Sequence, residues 1–253
     1  MSHAVQLFIT CILDTFYPEI CRAVVEVLER VGVEVIVPKH QTCCGQPAFN
    51  AGMRLQAREL AISTIQVFEA SASPVVIPSG SCAAMIRHSY PELFANDKEW
   101  LPRAKALAKR TYELTEYLVD VLQVVDLGAR YPGPLTYHSS CHLLRELGVD
   151  RQPKALLEKV REASSISPDI PVAVQYIPLP HADECCGFGG VFSVEYAHIS
   201  AAMLDRKIAN IESTGASTVV VCDAGCLMHI NGGLHRRGKK PNVVHIAEVL
   251  AGH

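Results

Sequence analysis

The chain has 253 residues, 49% of them hydrophobic and 19% charged, with a formal net charge of −3. A mean hydropathy of +0.18 and a pI near 6.4 go with a folded core and exclude both a disordered chain and a bulk positive charge suited to nucleic acid. Apolar runs such as Ala4 to Leu13 and Val219 to Cys222 fall short of the roughly 18 residues that signal a membrane span, and no basic segment precedes the first, so the expectation is a soluble cytoplasmic protein without a signal peptide.

Ten cysteines stand out against this ordinary background: Cys11, Cys21, Cys43, Cys44, Cys82, Cys141, Cys185, Cys186, Cys222 and Cys226. Thiols in a reducing compartment do not form disulfide frameworks. Clusters of them there point to metal ligation or redox chemistry.

In chain order, a short apolar strand ends in Leu7-Phe8-Ile9-Thr10-Cys11. Ile20, Val24, Val27, Leu28 and Val31 then recur at helical spacing, and Gly32 stops the helix. Val33 to Val37 alternates and is β-branched, a strand signature. The triplet Cys43-Cys44-Gly45 follows, then a helix over 54–70, a strand from Val75 to Ser79 leading to Cys82, and the helical phrase Leu114-Thr115-Glu116-Tyr117-Leu118. Glycine and proline cluster from Gly128 to Pro134, which places a boundary there.

The pattern then repeats. Tyr137-His138-Ser139-Ser140-Cys141 matches the first strand, and Val174 to Pro180 precedes the triplet Cys185-Cys186-Gly187. A helix over 194–213 closes at Gly215, Val219 to Val221 leads to Cys226, and Ile246-Ala247-Glu248-Val249-Leu250 ends the unit. The spacings agree approximately: 31 residues separate Cys11 from Cys43 and 43 separate Cys141 from Cys185, while 37 separate Cys44 from Cys82 and 39 separate Cys186 from Cys226. The surplus in the second copy falls at Ser164 to Pro171, read as a loop insertion. The chain is therefore expected to be α/β, two tandem repeats over 1–128 and 129–253, each a small parallel sheet flanked by helices.

In such folds functional groups gather beyond the carboxyl ends of the strands. That brings together one set of four thiols per repeat: Cys11, Cys43, Cys44 and Cys82, then Cys141, Cys185, Cys186 and Cys226. Four thiolates are the ligand set of an iron–sulfur centre or of structural zinc. Adjacent cysteines need a turn to face one centre, and Gly45 and Gly187 allow it while leaving room for backbone N–H groups near the sulfurs.

Cys222 is a further ligand candidate, whereas Cys21 reads as core. His138 and His142 flank Cys141 and read more readily as packing residues than as modulators of a centre. Phe188-Gly189-Gly190 lacks the spacing of a nucleotide loop, and His235-Arg236-Arg237-Gly238-Lys239-Lys240 reads as a solvated basic loop.

The arrangement Cys-x31-Cys-Cys-Gly-x36-Cys is similar to the cysteine-rich CCG domain of heterodisulfide reductases and of glycolate oxidase iron–sulfur subunits. Cys43-Cys44-Gly45-Gln46-Pro47-Ala48, Pro78-Ser79-Gly80-Ser81-Cys82, Cys185-Cys186-Gly187-Phe188-Gly189-Gly190 and Ala224-Gly225-Cys226-Leu227 resemble, over nearly the whole chain, the lactate-utilization branch of that family. The resemblance implies an iron–sulfur electron-transfer subunit with one or two [4Fe-4S] clusters, held by the eight matched cysteines. It implies work with two companion proteins in L-lactate oxidation to pyruvate.

In heterodisulfide reductase relatives each motif ends in Cys-x-x-Cys. Here Met85 and His229 stand at the last position, which makes His229 a further ligand candidate through its ring nitrogen and counts against disulfide-cleaving chemistry. No flavin or nicotinamide fingerprint is present, so unaided substrate oxidation is not expected. A cluster-dependent thiol–disulfide reductase and a zinc-stabilised interaction module stay as alternatives. No nucleic-acid partner is expected, and peripheral membrane association stays open.

Overall fold

The computed structural model describes residues 3–163 and 172–252. The expected loop insertion at Ser164 to Pro171 lies outside them. Strand β1 (His3–Leu7) is followed by α1 (Cys11–Phe16), α2 (Pro18–Arg30) and β2 (Val33–Ile36). Pro18 opens α2 at a position where its missing N–H costs nothing. Ile20, Ala23, Val24, Val27 and Leu28 form the buried stripe of α2, and Gly32, at φ +79°, turns the chain into β2. The triplet leads to α3 (Gln46–Asn50) and the long α4 (Arg54–Phe68), then to β3 (Val75–Ile77) and α5 (Gly80–Ala84). Helices α6 (Tyr90–Leu93) and α7 (Trp100–Lys109) precede β4 (Thr111–Glu113) and α8 (Leu114–Glu116). All strand pairs of this sheet are parallel, in the order β2-β1-β3-β4.

The second half begins with β5 (Arg130–Tyr131), β6 (Leu135–His138), α9 (Arg151–Leu157) and β7 (Arg161–Glu162). It continues through α10 (Phe192–Glu195), α11 (Ala197–Thr214), β8 (Thr218–Val221), α12 (Ala224–Arg236), β9 (Asn242–His245) and α13 (Ile246–Ala251). Strands β6, β8 and β9 form a second parallel sheet. Leu135 pairs with Thr218 on one side and forms a parallel bridge to Tyr176 on the other. The expected strand at Val174 to Pro180 is thus reduced to a single bridge in the place that β2 holds beside β1. With that reduction, both sheets share one strand order, and the fold is α/β with a parallel, helix-flanked sheet in each repeat. The helix read over 194–213 is also split: Tyr196 breaks it between α10 and α11.

One hydrophobic core runs across both repeats. Val24, Val27 and Leu28 of α2 join Tyr137, Ile246, Val249 and Leu250 in it. Arg30 clamps the join by donating to the carbonyls of Leu250 (2.8 Å) and Ala251 (2.9 Å), which satisfies backbone groups at the end of α13. Smaller clusters lie under each sheet, one around Phe8, Ile65 and Phe68, the other around Leu204, Ile208 and Val221.

The two matching helical phrases are capping boxes. Glu113 caps α8 with Glu116 reaching back, and His245 caps α13 with Glu248 reaching back. His245 accepts from Ala247 N–H at Nδ1 (3.2 Å) and therefore carries its proton on Nε2, which faces the Pro78 carbonyl at 3.1 Å in the other repeat. Glu113 is fully buried. One of its oxygens accepts from Thr115 N–H (2.7 Å), Thr115 hydroxyl (2.5 Å) and Glu116 N–H (3.3 Å), and the other has no partner among the described residues. Burial pushes its carboxyl up to about 7 from 4.5.

Between those two values the folded state holds a proton that the unfolded state has released, so stability falls as pH rises across that window and stays low above it. Glu113→Gln is expected to remove this decline. Urea titrations should show a variant about 3 kcal/mol more stable than the parent at pH 8, with the gap closing near pH 4.5; parallel profiles would sink the assignment.

Candidate metal centre

Each strand that points at the site delivers one cysteine just past its carboxyl end. Cys11 opens α1 after β1, and Cys82 lies in α5 after β3. Cys141 follows β6 directly before a π-helical turn over 142–146, and Cys226 lies in α12 after β8. The paired cysteines arrive on the triplet turns. Gly45 and Gly187 have φ of +87° and +94°, a region that favours glycine. A Cβ on Gly187 would sit 2.7 Å from the Ser200 carbonyl oxygen, and one on Gly45 would sit 3.3 Å from that of Ala57. Each triplet thus presses its backbone against the long helix that follows. In that turn the glycine N–H points back at a sulfur: Gly45 N–H at Cys43 Sγ (3.5 Å) and Gly187 N–H at Cys185 Sγ (3.3 Å).

The eight matched thiols line a single cavity of about 80 Å³. Within the first set, Sγ of Cys11 lies 3.6 Å from that of Cys43, and Cys44 lies 3.4 Å from Cys82. Within the second, Cys186 lies 3.3 Å from Cys226, and Cys141 donates toward Cys185. The hydrogen bond from Cys11 holds the Cys43 thiol well below the usual thiol range, and the one from Cys141 does the same for Cys185. The donors move the other way: Cys11 and Cys141 are raised by the same bonds and by burial. Cys44 and Cys186 rise too, through their bonds to neighbouring thiols and through burial. Cys43 and Cys185 are therefore the thiols of each set that most readily give up a proton, and the neighbouring thiols must lose theirs for all four sulfurs to bind a metal.

Ser79 and Asp223 are the equivalent N-cap residues of α5 and α12, and they meet where the repeats face each other. Asp223 accepts from the Ser79 hydroxyl (3.0 Å), Ser81 N–H (2.9 Å) and Gly225 N–H (3.0 Å). One carboxylate thus ties the turn before Cys82 to the turn before Cys226. Nothing in local spacing marks it beyond an aspartate three residues ahead of a cysteine.

The remaining candidates lie elsewhere. Cys222 is fully buried in the shared core, with its thiol toward Tyr137, and lies outside the cavity lining. His229 also lies outside it, with Nε2 3.3 Å from the Ser200 hydroxyl and its ring 5.9 Å from that of Phe188. Met85 is buried in the first repeat's core, and Cys21 packs against the second's. Phe188 covers Gly225 so closely that a Cβ there would fall 2.6 Å from the ring, so the Phe188-Gly189-Gly190 stretch forms cavity wall. In the basic loop, Arg237 pairs with Asp205 and Lys239 with Glu212.

His142 lines the cavity, with Nδ1 3.6 Å from Cys141 Sγ. His138 goes further than the packing role expected of it: fully buried, it sits with Cys186 and Cys226 so that the three ligand atoms lie within 4.8 Å of one another. Two nearby residues carry no signal in the sequence, Asp223 and the buried Lys207 of α11.

The donor set fits a metal or iron–sulfur group. Each repeat supplies four converging thiols, one of them with its acidity raised by a neighbouring thiol and by a backbone N–H aimed at its sulfur. No helix among the described residues is long and apolar enough to cross a membrane.

Comparison with known proteins agrees with this construction. The CCG cysteine-rich domain matches the chain twice, over residues 5–87 and 135–231. Lactate utilization protein A of Geobacillus sp. (strain WCH70) and that of Geobacillus kaustophilus (strain HTA426) are each 49% identical over 97% of this chain and 98% of their own length. The protein of the same name from Bacillus pumilus (strain SAFR-032) is 48% identical over the same shares. A hypothetical protein from Helicobacter pylori has a similar fold, with a TM-score of 0.65 at 10% identity over 98% of this chain; the chain spans 48% of that protein's length. Both matched domains contain a complete four-cysteine set, and the chain belongs to the lactate utilization protein A family, built on paired CCG cysteine-rich domains.

Proposed function

We propose that this chain is the iron–sulfur electron-transfer subunit of a cytoplasmic complex that oxidises L-lactate to pyruvate, or a related 2-hydroxyacid to its 2-oxoacid. The observation that carries the reading is the convergence of eight thiols, four from each repeat, on one cavity. The substrate and the companion proteins come from the name shared by the relatives, lactate utilization protein A. In this reading the repeats divide between residues 128 and 129, and two companion proteins supply the catalytic oxidation and the onward acceptor.

A [4Fe-4S] cluster, when bound, supplies reversible one-electron transfer. The chain's own residues do the rest. Cys11, Cys43, Cys44 and Cys82 would hold one centre, and Cys141, Cys185, Cys186 and Cys226 the other. The Gly45 and Gly187 N–H groups stabilise negative charge on Cys43 and Cys185. Asp223 keeps both sets in fixed register, and Phe188 shields the second from solvent.

A zinc site is the second reading, and the close sulfur pairs suit it. A tetrahedral site with Zn–S near 2.3 Å places its sulfurs about 3.8 Å apart, close to the 3.3–3.6 Å pairs seen here. Iron, sulfide and zinc analysis of anaerobically purified protein separates the two. About four or eight irons per chain with matching sulfide, and an EPR signal after reduction, are expected. Stoichiometric zinc without labile sulfide, persisting after anaerobic reconstitution with iron, would overturn the electron-transfer reading.

A further inference from the structure

The two cysteine sets share a plan but not an environment. Three residues before Cys11 stands Phe8, a core residue stacked 5.4 Å from Phe68. Three residues before Cys141 stands His138, fully buried, with neither ring nitrogen partnered among the described residues. It lies within reach of Cys186 and Cys226. The long helices differ in the same way. Seven residues beyond Ala57, which abuts Gly45, lies the buried neutral Thr64. Seven residues beyond Ser200, which abuts Gly187, lies Lys207.

Lys207 is fully buried and donates to the His181 carbonyl at 2.8 Å. His181 sits at φ +50°, which turns that carbonyl toward the ammonium. The helix segment bearing Lys207 places Leu204 and Ile208 in the same cluster as Cys186 and Cys226.

We propose that His138 and Lys207 give the centre at Cys141, Cys185, Cys186 and Cys226 a higher reduction potential than the centre at Cys11, Cys43, Cys44 and Cys82. The proposal rests on the iron–sulfur reading of the site. Reduction adds one negative charge to a centre. A nearby N–H donor or a buried cation stabilises that charge, and low local polarity strengthens the effect. Phe8 and Thr64 offer the first centre neither. An electron accepted from an external one-electron reductant, which is thereby oxidised, settles on the second centre, and the first is its point of transit.

Metal analysis comes first, because absence of iron defeats the iron–sulfur reading itself and not this inference alone. With iron present, potentiometric titration followed by EPR is expected to give two waves in the unsubstituted protein. Cys44→Ser leaves the second centre and Cys186→Ser the first. The former is expected to hold its electron at least tenfold more tightly, about 59 mV for one electron. Coincident waves, or the reverse order, would overturn the proposal.

Lys207→Met and His138→Phe should each bring the upper wave down while the lower one stays, and His138→Gln, which keeps an N–H, should hold it. An upper wave unmoved by both Lys207→Met and His138→Phe would overturn the assignment. Loss of the second centre's iron in His138→Phe, with the first centre intact, would make His138 a ligand and overturn its role as donor.

Discussion

Cys44→Ser is expected to strip about half of the iron and sulfide from the anaerobically reconstituted protein, along with the matching share of visible absorption. Cys44 is almost fully buried, 2% exposed, and its sulfur lies 3.4 Å from that of Cys82. The Tyr90 hydroxyl donates to the Cys44 carbonyl at 2.8 Å and fixes the turn from which the thiol projects. A serine hydroxyl occupies nearly the same volume, so the core around it survives. It is a shorter and harder ligand that stays protonated near neutral pH, and soft iron–sulfur sites select against it. The second set keeps its iron because its four cysteines all come from the other repeat. Cys222→Ser is the matched control: its thiol faces Tyr137 in the shared core, and iron content should not change. Full iron in Cys44→Ser, or equal losses in both variants, would sink the ligand assignment.

That experiment draws on the part of the site legible from sequence. The repeat of Cys, Cys-Cys-Gly and Cys at matching intervals is a linear pattern, and placing each cysteine after a strand needs nothing beyond hydrophobic periodicity. Val33 to Val37 and the helix ending at Gly32 are readable for the same reason. Val174 to Pro180 is not, because its composition resembles a strand while Leu135 offers it a single bridge. His138 and Lys207 escape for another reason. Sequence shows a histidine at a strand end and a lysine in an amphipathic helix, and solvent exposure is the ordinary outcome for a lysine. Their burial against the second set depends on packing between α11, α12 and β6. Phe8 stands at the same offset from Cys11 as His138 from Cys141, yet the contrast gains meaning only once His138, Thr64 and Lys207 are known to be buried. The meeting of Ser79 with Asp223 is likewise a contact across the repeats, separated by 144 positions.

Asp223→Ala is expected to lower stability and metal loading together, in both sets at once. The side chain is nearly buried, 4% exposed, and its two oxygens accept from the Ser79 hydroxyl, Ser81 N–H and Gly225 N–H. Alanine removes the N-cap of α12, worth about 1 kcal/mol. It also leaves the Ser79 and Ser81 donors without the carboxylate, at about 1–3 kcal/mol for a buried group. A total of about 2–4 kcal/mol follows from these, a large share of the roughly 5–15 kcal/mol that holds a typical domain.

The local consequence matters more for the site. Ser81 is the residue before Cys82, and Gly225 is the residue before Cys226, so losing one carboxylate frees the approach to a ligand in each repeat. Iron per chain should therefore fall in both centres, unlike the one-sided loss in Cys44→Ser. Asp223→Asn keeps one acceptor oxygen, enough for Ser79 and Ser81 but not for Gly225, and should fall between the two. Urea midpoints and iron analysis on the three proteins decide it. If Asp223→Ala keeps both its midpoint and its iron, the carboxylate does not hold the two sets in register.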